Sequence, residues 1–222
     1  MSEFDRGCRP DARAPGMTEV VAAAGAGRMG RGLAVVFAYA GYPVRLIDLK
    51  AREDAAVWLE NAEAEIRSTL KMLVSCGMIA DDDIERIASR VSYETCDQAQ
   101  GAISGSDVIF EGVPETLDAK RHALSLISEH AQPNATIASS TSTILSDELQ
   151  AMVKGPERFL NAHWLNPAFL VPLVEISPGA KTDPEVTARL VALLNGIGKV
   201  PVIMKASPGF IVPRIQALAM NE

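Results

Sequence analysis

The sequence predicts an α/β domain built on a mostly parallel sheet, and three observations lead to that fold class. Short apolar runs typical of buried strands alternate with segments whose apolar residues recur at helical spacing, which is the pattern of βαβ units. The first run is followed at once by four glycines within residues 25–32. Two later runs, 159–164 and 171–176, lie too close together for a crossover helix, so we expect them to pair antiparallel.

The first half of the chain predicts three strands separated by helices. Strands are expected at Val20–Ala24, Val44–Ile47 and Val91–Tyr93, and helices over residues 28–39, 51–74 and 80–89. The strand runs are short and apolar throughout, as in strands that are buried on both faces. The core positions expected of the second helix are Val57, Leu59, Ile66, Leu70 and Leu73. Because two helices lie between the second and third strands, the sheet is expected to carry a helical insertion there.

The second half continues the alternation with five more strands. These are expected at Val108–Val113, Thr136–Ser140, Phe159–Trp164, Val171–Ile176 and Val200–Met204, with helices over residues 117–130, 145–152 and 184–194. From residue 207 the sequence "SPGFIVPRIQALAMNE" begins an apolar helix that has no stop signal. We expect residues 1–17 to be a disordered extension, 18–206 the α/β domain, and 207–222 a hinge into an all-helical C-terminal domain that is missing.

Composition and charge exclude several classes of partner. Of the 222 residues, 48% are hydrophobic and 22% charged, which is typical of a soluble globular protein, and the net charge is −7. Nucleic-acid and anionic-membrane surfaces need clustered Lys and Arg, so neither is expected, and no apolar run is long enough to span a bilayer. Three cysteines without metal-ligand spacing predict no metal site and a reduced, cytoplasmic setting.

The glycine cluster matches G-x-G-x-x-G at Gly25, Gly27 and Gly30. It follows a predicted strand and opens a helix, the context in which this motif binds a dinucleotide. The first glycine allows a tight bend, the second lets the backbone approach a pyrophosphate, and the third lets the helix lie close to the sheet. The N–H groups of Arg28 and Met29 would then face the anion at the helix N-terminus. A purely structural turn is the alternative.

Asp48 ends the second predicted strand, 21 residues after Gly27. A carboxylate at this place can accept a hydrogen bond from the ribose 2′-hydroxyl of NAD, whereas it repels the 2′-phosphate of NADP. The motif and the acid together predict a Rossmann-type domain that binds NAD. NADP stays open as the alternative because Lys50 and Arg52 are close by in the sequence.

A second group of polar residues follows the later strands. Ligands of open α/β sheets bind beyond the carboxyl ends of the strands, where Ser142, His163 and Asn166 are expected. The antiparallel pair could bring Glu175 beside His163. A carboxylate fixes the tautomer of a histidine and favours its protonated form, so such a pair can exchange a proton near neutrality. A packing role for this histidine is the alternative, and the two other histidines are interpreted as surface or packing residues.

These segments together resemble the NAD-binding half of the L-3-hydroxyacyl-CoA dehydrogenase family. The resemblance runs from about Val20 to Met220 and is carried by "GAGRMGRGLA", "FEGVPETLDAK", "ASSTSTI", "AHWLNPAFLVPLVEI" and "SPGFIVPRI". It implies an enzyme that oxidises a short-chain L-3-hydroxyacyl-CoA with NAD and forms a homodimer through its C-terminal domain. It implies a catalytic group, which consists of His163, Glu175, Ser142 and Asn166. It also implies cofactor contacts at Glu115 and Lys120.

The CoA-binding positions depart from the family pattern. The family holds CoA with a serine and a lysine on the helix after the second strand, and Thr69 and Cys76 stand at those places. Arg67 and Lys71 lie nearby and could bind a phosphate instead. The family's hinge asparagine is Pro213 here. Two alternatives therefore stay open: an NAD-dependent dehydrogenase of a free hydroxy acid, such as L-gulonate or a hydroxymethyl-pyridine acid, and a dinucleotide-binding protein without turnover.

Overall fold

The computed structural model describes residues 19–221, and the predicted disordered extension over 1–17 lies outside the described residues. Eight strands form one sheet: β1 (Val21–Ala24), β2 (Val44–Ile47), β3 (Val91–Glu94), β4 (Val108–Glu111), β5 (Thr136–Ser139), β6 (Phe159–Trp164), β7 (Leu173–Pro178) and β8 (Val200–Ile203). Their spatial order is β3-β2-β1-β4-β5-β6-β7-β8. Each neighbouring pair is parallel except β6 and β7, which are antiparallel. The predicted fold class and its antiparallel pair are therefore confirmed.

Helices cover both faces of this sheet. They are α1 (Arg28–Tyr39), α2 (Ala55–Ser75), α3 (Asp83–Ala88), α4 (Ala99–Ser104), α5 (Leu117–His130), α6 (Ser146–Gln150), α7 (Pro184–Gly196) and α8 (Val212–Met220). One hydrophobic core joins the sheet to α1, α2, α3 and α7, and a second joins its other face to α4, α5 and α6. The carboxyl ends of the parallel strands are left uncovered between these two layers, which is where such sheets bind ligands.

Several local features differ from the predictions, and a physical reason explains three of them. The short helix α4 was missed because Gly101 within it, and Ser104 and Gly105 at its end, are weak helix formers. A capping box between Thr95 and Gln98 starts the helical turn that precedes α4. β7 begins two residues later than predicted because Pro172 cannot donate a ladder hydrogen bond. Val57 is 55% exposed, since it lies off the stripe of α2 that faces the core.

Two negative findings apply to residues 19–221. No helix in this part of the chain is long and apolar enough to cross a membrane. No group of three or more His, Cys, Asp or Glu side chains in the same range could hold a metal ion.

Candidate active site

The turn between β1 and α1 requires glycine at two of its three motif positions for steric reasons alone. Gly25 has a φ of +111°, and a Cβ on it would come within 2.8 Å of the carbonyl carbon of Gly112. A Cβ on Gly30 would lie 2.0 Å from the carbonyl oxygen of Gly25, so this residue allows α1 to approach the turn. A Cβ on Gly27 would meet no atom within 4 Å. Gly27 thus faces open space that a bound group can occupy.

That open space is part of a cavity of about 690 Å³ beyond the ends of β1, β2 and β4. Its volume lies in the usual range for cofactor sites. Gly25, Gly27 and Asp48 line it together with Trp58 and the β4–α5 loop. The chemistry of the walls fits a dinucleotide: free helix N–H groups suit a pyrophosphate, and a carboxylate suits a ribose.

Asp48 is buried to 6% exposure at the rim of this cavity. Its Oδ1 accepts a hydrogen bond from the backbone N–H of Lys50 at 3.1 Å, and its Oδ2 accepts one from Nε of Arg52 at 2.5 Å. The guanidinium of Arg52 also lies 4.3 Å from the ring centroid of Trp58. These contacts fix the carboxylate in place, and an ionised carboxylate keeps further lone pairs for a ligand.

Two cavity residues were not identified from the sequence. His122, interpreted as a surface or packing residue, is exposed on α5 and lines the cavity, and Trp58 lines it from α2. The signal for His122 is its place on the first turns of the helix that follows β4, because such turns lie at the ligand-binding edge of the sheet. Trp58 carries no comparable motif, since only the fold of the helical insertion brings it to the site.

Lys120 lies beneath the cavity wall and is 1% exposed. Its Nζ is 3.0 Å from both carboxylate oxygens of Glu111, which is completely buried. Glu111 also accepts hydrogen bonds from Ser139 Oγ at 2.5 Å and from the N–H of Val113 at 2.6 Å. Lys120 thus forms a buried ion pair with Glu111 that holds the cavity loop, and its contact with the cofactor stays a prediction. Glu111 was missed because it lies inside the predicted strand Val108–Val113, which is otherwise uncharged.

Glu115 holds the loop after β5. Its Oε1 accepts hydrogen bonds from Thr141 Oγ1 at 2.5 Å, from the N–H of Ser142 at 2.9 Å, and from both the N–H and the hydroxyl of Thr143. Burial alone would raise the pKa of this carboxyl, but the hydrogen bond from Thr141 and the charge of Lys120 outweigh it and lower the pKa. Glu115 is therefore an ionised carboxylate that holds the segment of Ser142 in place by hydrogen bonds.

His163 and Glu175 face each other on adjacent strands. The antiparallel register of β6 and β7 pairs them directly, and Nδ1 of His163 lies 2.7 Å from Oε2 of Glu175. Both side chains are buried, with residue exposures of 4% and 1%. The other carboxylate oxygen, Oε1, accepts hydrogen bonds from the N–H groups of Ile211 and Val212 at 2.8 and 3.0 Å. The imidazole is thus bound at Nδ1, which leaves Nε2 for proton exchange.

Asn166 lies in the loop after β6 and lines a second cavity of about 330 Å³. Arg28 and Arg31 of α1 and Thr69 of α2 line the same cavity. Arg31 pairs with Glu65 at 2.7 Å, whereas no carboxylate of residues 19–221 pairs with Arg28. Asn166, a predicted substrate contact, and Arg28, which is available to bind an anion, therefore line the same cavity.

Two predicted phosphate contacts are not brought to this cavity. Arg67 points to the other side of α2, where it forms ion pairs with Glu63 at 2.9 Å and with Glu85. The hydrogen bonds that its guanidinium donates to Glu85 and Glu63 raise the pKa of Arg67. Lys71 is exposed on α2 outside the cavity, and Cys76 is exposed at the C-terminus of that helix. Of the predicted CoA contacts, only Thr69 lies beside Asn166.

Comparison with known proteins gives a consistent result. Residues 20–207 match the family model described as 3-hydroxyacyl-CoA dehydrogenase, NAD binding domain. The crystal structure of (S)-3-hydroxybutyryl-CoA dehydrogenase from Ralstonia eutropha superposes with a TM-score of 0.83 at 31% identity, over 92% of this chain and 70% of that one. A lambda-crystallin homolog from Bos taurus is 32% identical over 96% of this chain and 64% of its own length. L-carnitine dehydrogenase/betainyl-CoA thioesterase from Rhizobium meliloti is 36% identical over 93% of this chain, which spans 40% of that protein.

Proposed function

This chain belongs to the 3-hydroxyacyl-CoA dehydrogenase family and carries its NAD-binding domain, and on that premise we propose that it interconverts a secondary alcohol and a ketone with His163 as the acid–base group. The observation that carries this proposal is the 2.7 Å contact between His163 Nδ1 and Glu175 Oε2. It lies at the same edge of the sheet as the cavity lined by Gly27 and Asp48.

The geometry suggests a role in the reaction for each of the residues around His163. Glu175 holds the proton on Nδ1 of His163, so Nε2 takes the hydroxyl proton of the alcohol in the oxidative direction and returns it in reduction. The ionised carboxylate stabilises the imidazolium that forms. NAD, when bound, supplies the acceptor or donor of the hydride. Ser142 and Asn166 are the proposed contacts that orient the substrate oxygen.

A short-chain 3-hydroxyacyl-CoA is the first proposed substrate, because the family and the Ralstonia eutropha enzyme are named for such esters. Thr69 would contact the CoA moiety from α2. A free hydroxy acid is the second proposed substrate. It is favoured by Arg28, which lines the cavity of Asn166 without a carboxylate partner among the described residues. A relative named for L-carnitine also supports it.

An NADH-oxidation assay on the purified protein tests the proposal. Acetoacetyl-CoA is supplied in one reaction and free acetoacetate in the other, and the absorbance of NADH is followed. Oxidation with either compound supports the proposed dehydrogenase. Saturable NADH binding without oxidation, both with these compounds and with a panel of other 3-oxo esters and acids, would contradict it and favour a dinucleotide-binding protein without turnover.

A substitution of Arg28 distinguishes between the two proposed substrates. If it binds a substrate carboxylate, Arg28→Gln raises the KM for the free acid roughly tenfold or more, because a hydrogen bond to a charged group contributes about 1.5–3 kcal/mol. The KM for the CoA ester and the Kd for NADH stay close to the wild-type values. Lys181→Gln is the matched control, since it removes the same charge from an exposed position on the β7–α7 connection. An unchanged KM for the acid would remove Arg28 from the substrate site.

Several inferences from the sequence remain predictions. These are the homodimer, the cytoplasmic location, and the division into a domain over 18–206 and a hinge over 207–222. The chain spans between 26% and 67% of the length of seven curated relatives that it matches. Sedimentation of the purified protein would test the dimer.

A further inference from the structure

Phe210 has a backbone conformation that aromatic residues rarely adopt. Its φ is +47°, and that of Gly209 before it is +73°. The left-handed region is unfavourable for a residue with a Cβ, so a bulky side chain stays there only when its surroundings hold it. The side chain of Phe210 is 3% exposed, whereas that of Ile211 is 45% exposed. The contacts made by the buried ring therefore account for the strained backbone.

The ring of Phe210 stacks on the imidazole of His163. The two ring centroids are 4.8 Å apart and the planes differ by 23°, which is an offset stack within the range of favourable aromatic pairs. The ring covers one face of the imidazole, while Glu175 holds its edge at Nδ1. Rotation of the imidazole about its Cβ–Cγ bond would break both contacts.

The residues that follow Phe210 bind the other member of the pair. The N–H groups of Ile211 and Val212 donate to Oε1 of Glu175, whose Oε2 contacts His163. Residues 210–212 thus contact both His163 and Glu175 through independent groups, a ring and two amides. The left-handed backbone at 209 and 210 reverses the chain so that ring and amides face the same pair.

We propose that Phe210 is a positioning residue for His163. Its ring blocks rotation of the imidazole and keeps Nε2, the nitrogen that Glu175 does not bind, in one orientation. The catalytic consequence rests on the proposed function, in which Nε2 exchanges the substrate proton. Because a misplacement of about 1 Å at a reacting group can cost roughly a hundredfold in rate, loss of the ring should lower turnover without loss of cofactor binding.

Proton NMR tests the stacking without any need for activity. The chain has three histidines, and the imidazole signals of His163 are those that disappear in His163→Gln. Phe210→Tyr keeps the ring current, so the upfield shift of these signals persists, whereas Phe210→Leu abolishes it. Signals at the same positions in wild type and Phe210→Leu would overturn the stacking.

Kinetics test the consequence for catalysis. Phe210→Leu should lower kcat roughly tenfold or more, while its KM and its Kd for NADH stay within about twofold of the wild-type values. Phe210→Tyr keeps an aromatic ring and should have a kcat close to that of wild type. Phe210→Gly removes the ring and the backbone strain together. A low kcat in this variant, at a free energy of unfolding no lower than that of wild type, would show that the ring acts by positioning His163 and not by stabilising the fold. Wild-type kcat in Phe210→Leu or Phe210→Gly would overturn the proposal. An inactive wild-type protein would instead contradict the proposed function, and the NMR result would still decide the stacking.

Discussion

Three carboxylates at the ligand-binding edge each hold a loop by its backbone N–H groups. Glu111 binds the N–H of Val113, Glu115 binds those of the loop after β5, and Glu175 binds those at the start of α8. An ionised carboxylate forms stronger hydrogen bonds to such groups than a neutral acceptor does. The loops around the proposed site are therefore held by charge as well as by packing.

Glu115 gives this arrangement a dependence on pH. Its pKa is lower in the folded protein than in a free side chain, so its stabilising effect is complete above the unfolded-state pKa of about 4.3. The effect is lost as the pH falls through the lower, folded-state pKa. We expect the free energy of unfolding in urea to fall less between about pH 6 and about pH 3 in Glu115→Gln than in wild type.

Glu129→Gln is the matched control for that comparison, because Glu129 is exposed on α5. It should keep the wild-type dependence on pH. An equal fall in unfolding free energy for wild type and Glu115→Gln would show that this carboxylate does not act as a charged clamp.

At the scale of elements, the β1–turn–α1 unit combines a steric and a ligand-binding requirement. Gly30 allows α1 to contact the turn, because a Cβ there would lie 2.0 Å from a backbone oxygen. Gly27 is the N-cap of α1 and faces the open cavity. One motif therefore contains a glycine that the fold needs and a glycine for which we propose a role in ligand binding alone.

Alanine substitutions separate these two requirements. Gly30→Ala should lower the free energy of unfolding by about 1–3 kcal/mol or more, the usual cost of overpacking. Gly27→Ala should change it by no more than about 1 kcal/mol but raise the Kd for NADH at least tenfold. Urea unfolding and NADH fluorescence titration measure the two effects. Wild-type NADH affinity in Gly27→Ala would mean that the pyrophosphate does not approach this turn.

The elements that sequence predicts best are those with strong local signals. The bounds of α1, β2, α5 and β6 are confirmed, because continuous apolar runs and helical periodicity are local properties. The antiparallel pairing of β6 and β7, within which His163 lies opposite Glu175, follows from the short connection between the two strands. In contrast, the conformation of Phe210 could not be predicted, since only its contact with His163 in the folded chain explains a positive φ. The same is true of Glu111, whose buried partner Lys120 lies on the next helix.

At the scale of the whole molecule, the order of the strands sets the spacing of the site. The cofactor cavity lies over β2, β1 and β4, and the His163–Glu175 pair lies on β6 and β7. From β1 to β6 there are three steps of about 4.8 Å each, so roughly 14 Å separate the glycine turn from the proposed acid–base pair. The proposed hydride transfer requires a cofactor that extends across the strand ends from Asp48 towards His163.

The measurement that tests this account most directly is the rate of NADH oxidation by His163→Gln beside wild type, with the Kd for NADH determined on the same samples. Removal of a general acid–base group should lower kcat roughly a hundredfold or more and leave the Kd for NADH unchanged, because His163 lies outside the cofactor cavity. A His163→Gln protein that oxidises NADH at a rate close to that of wild type would contradict the account.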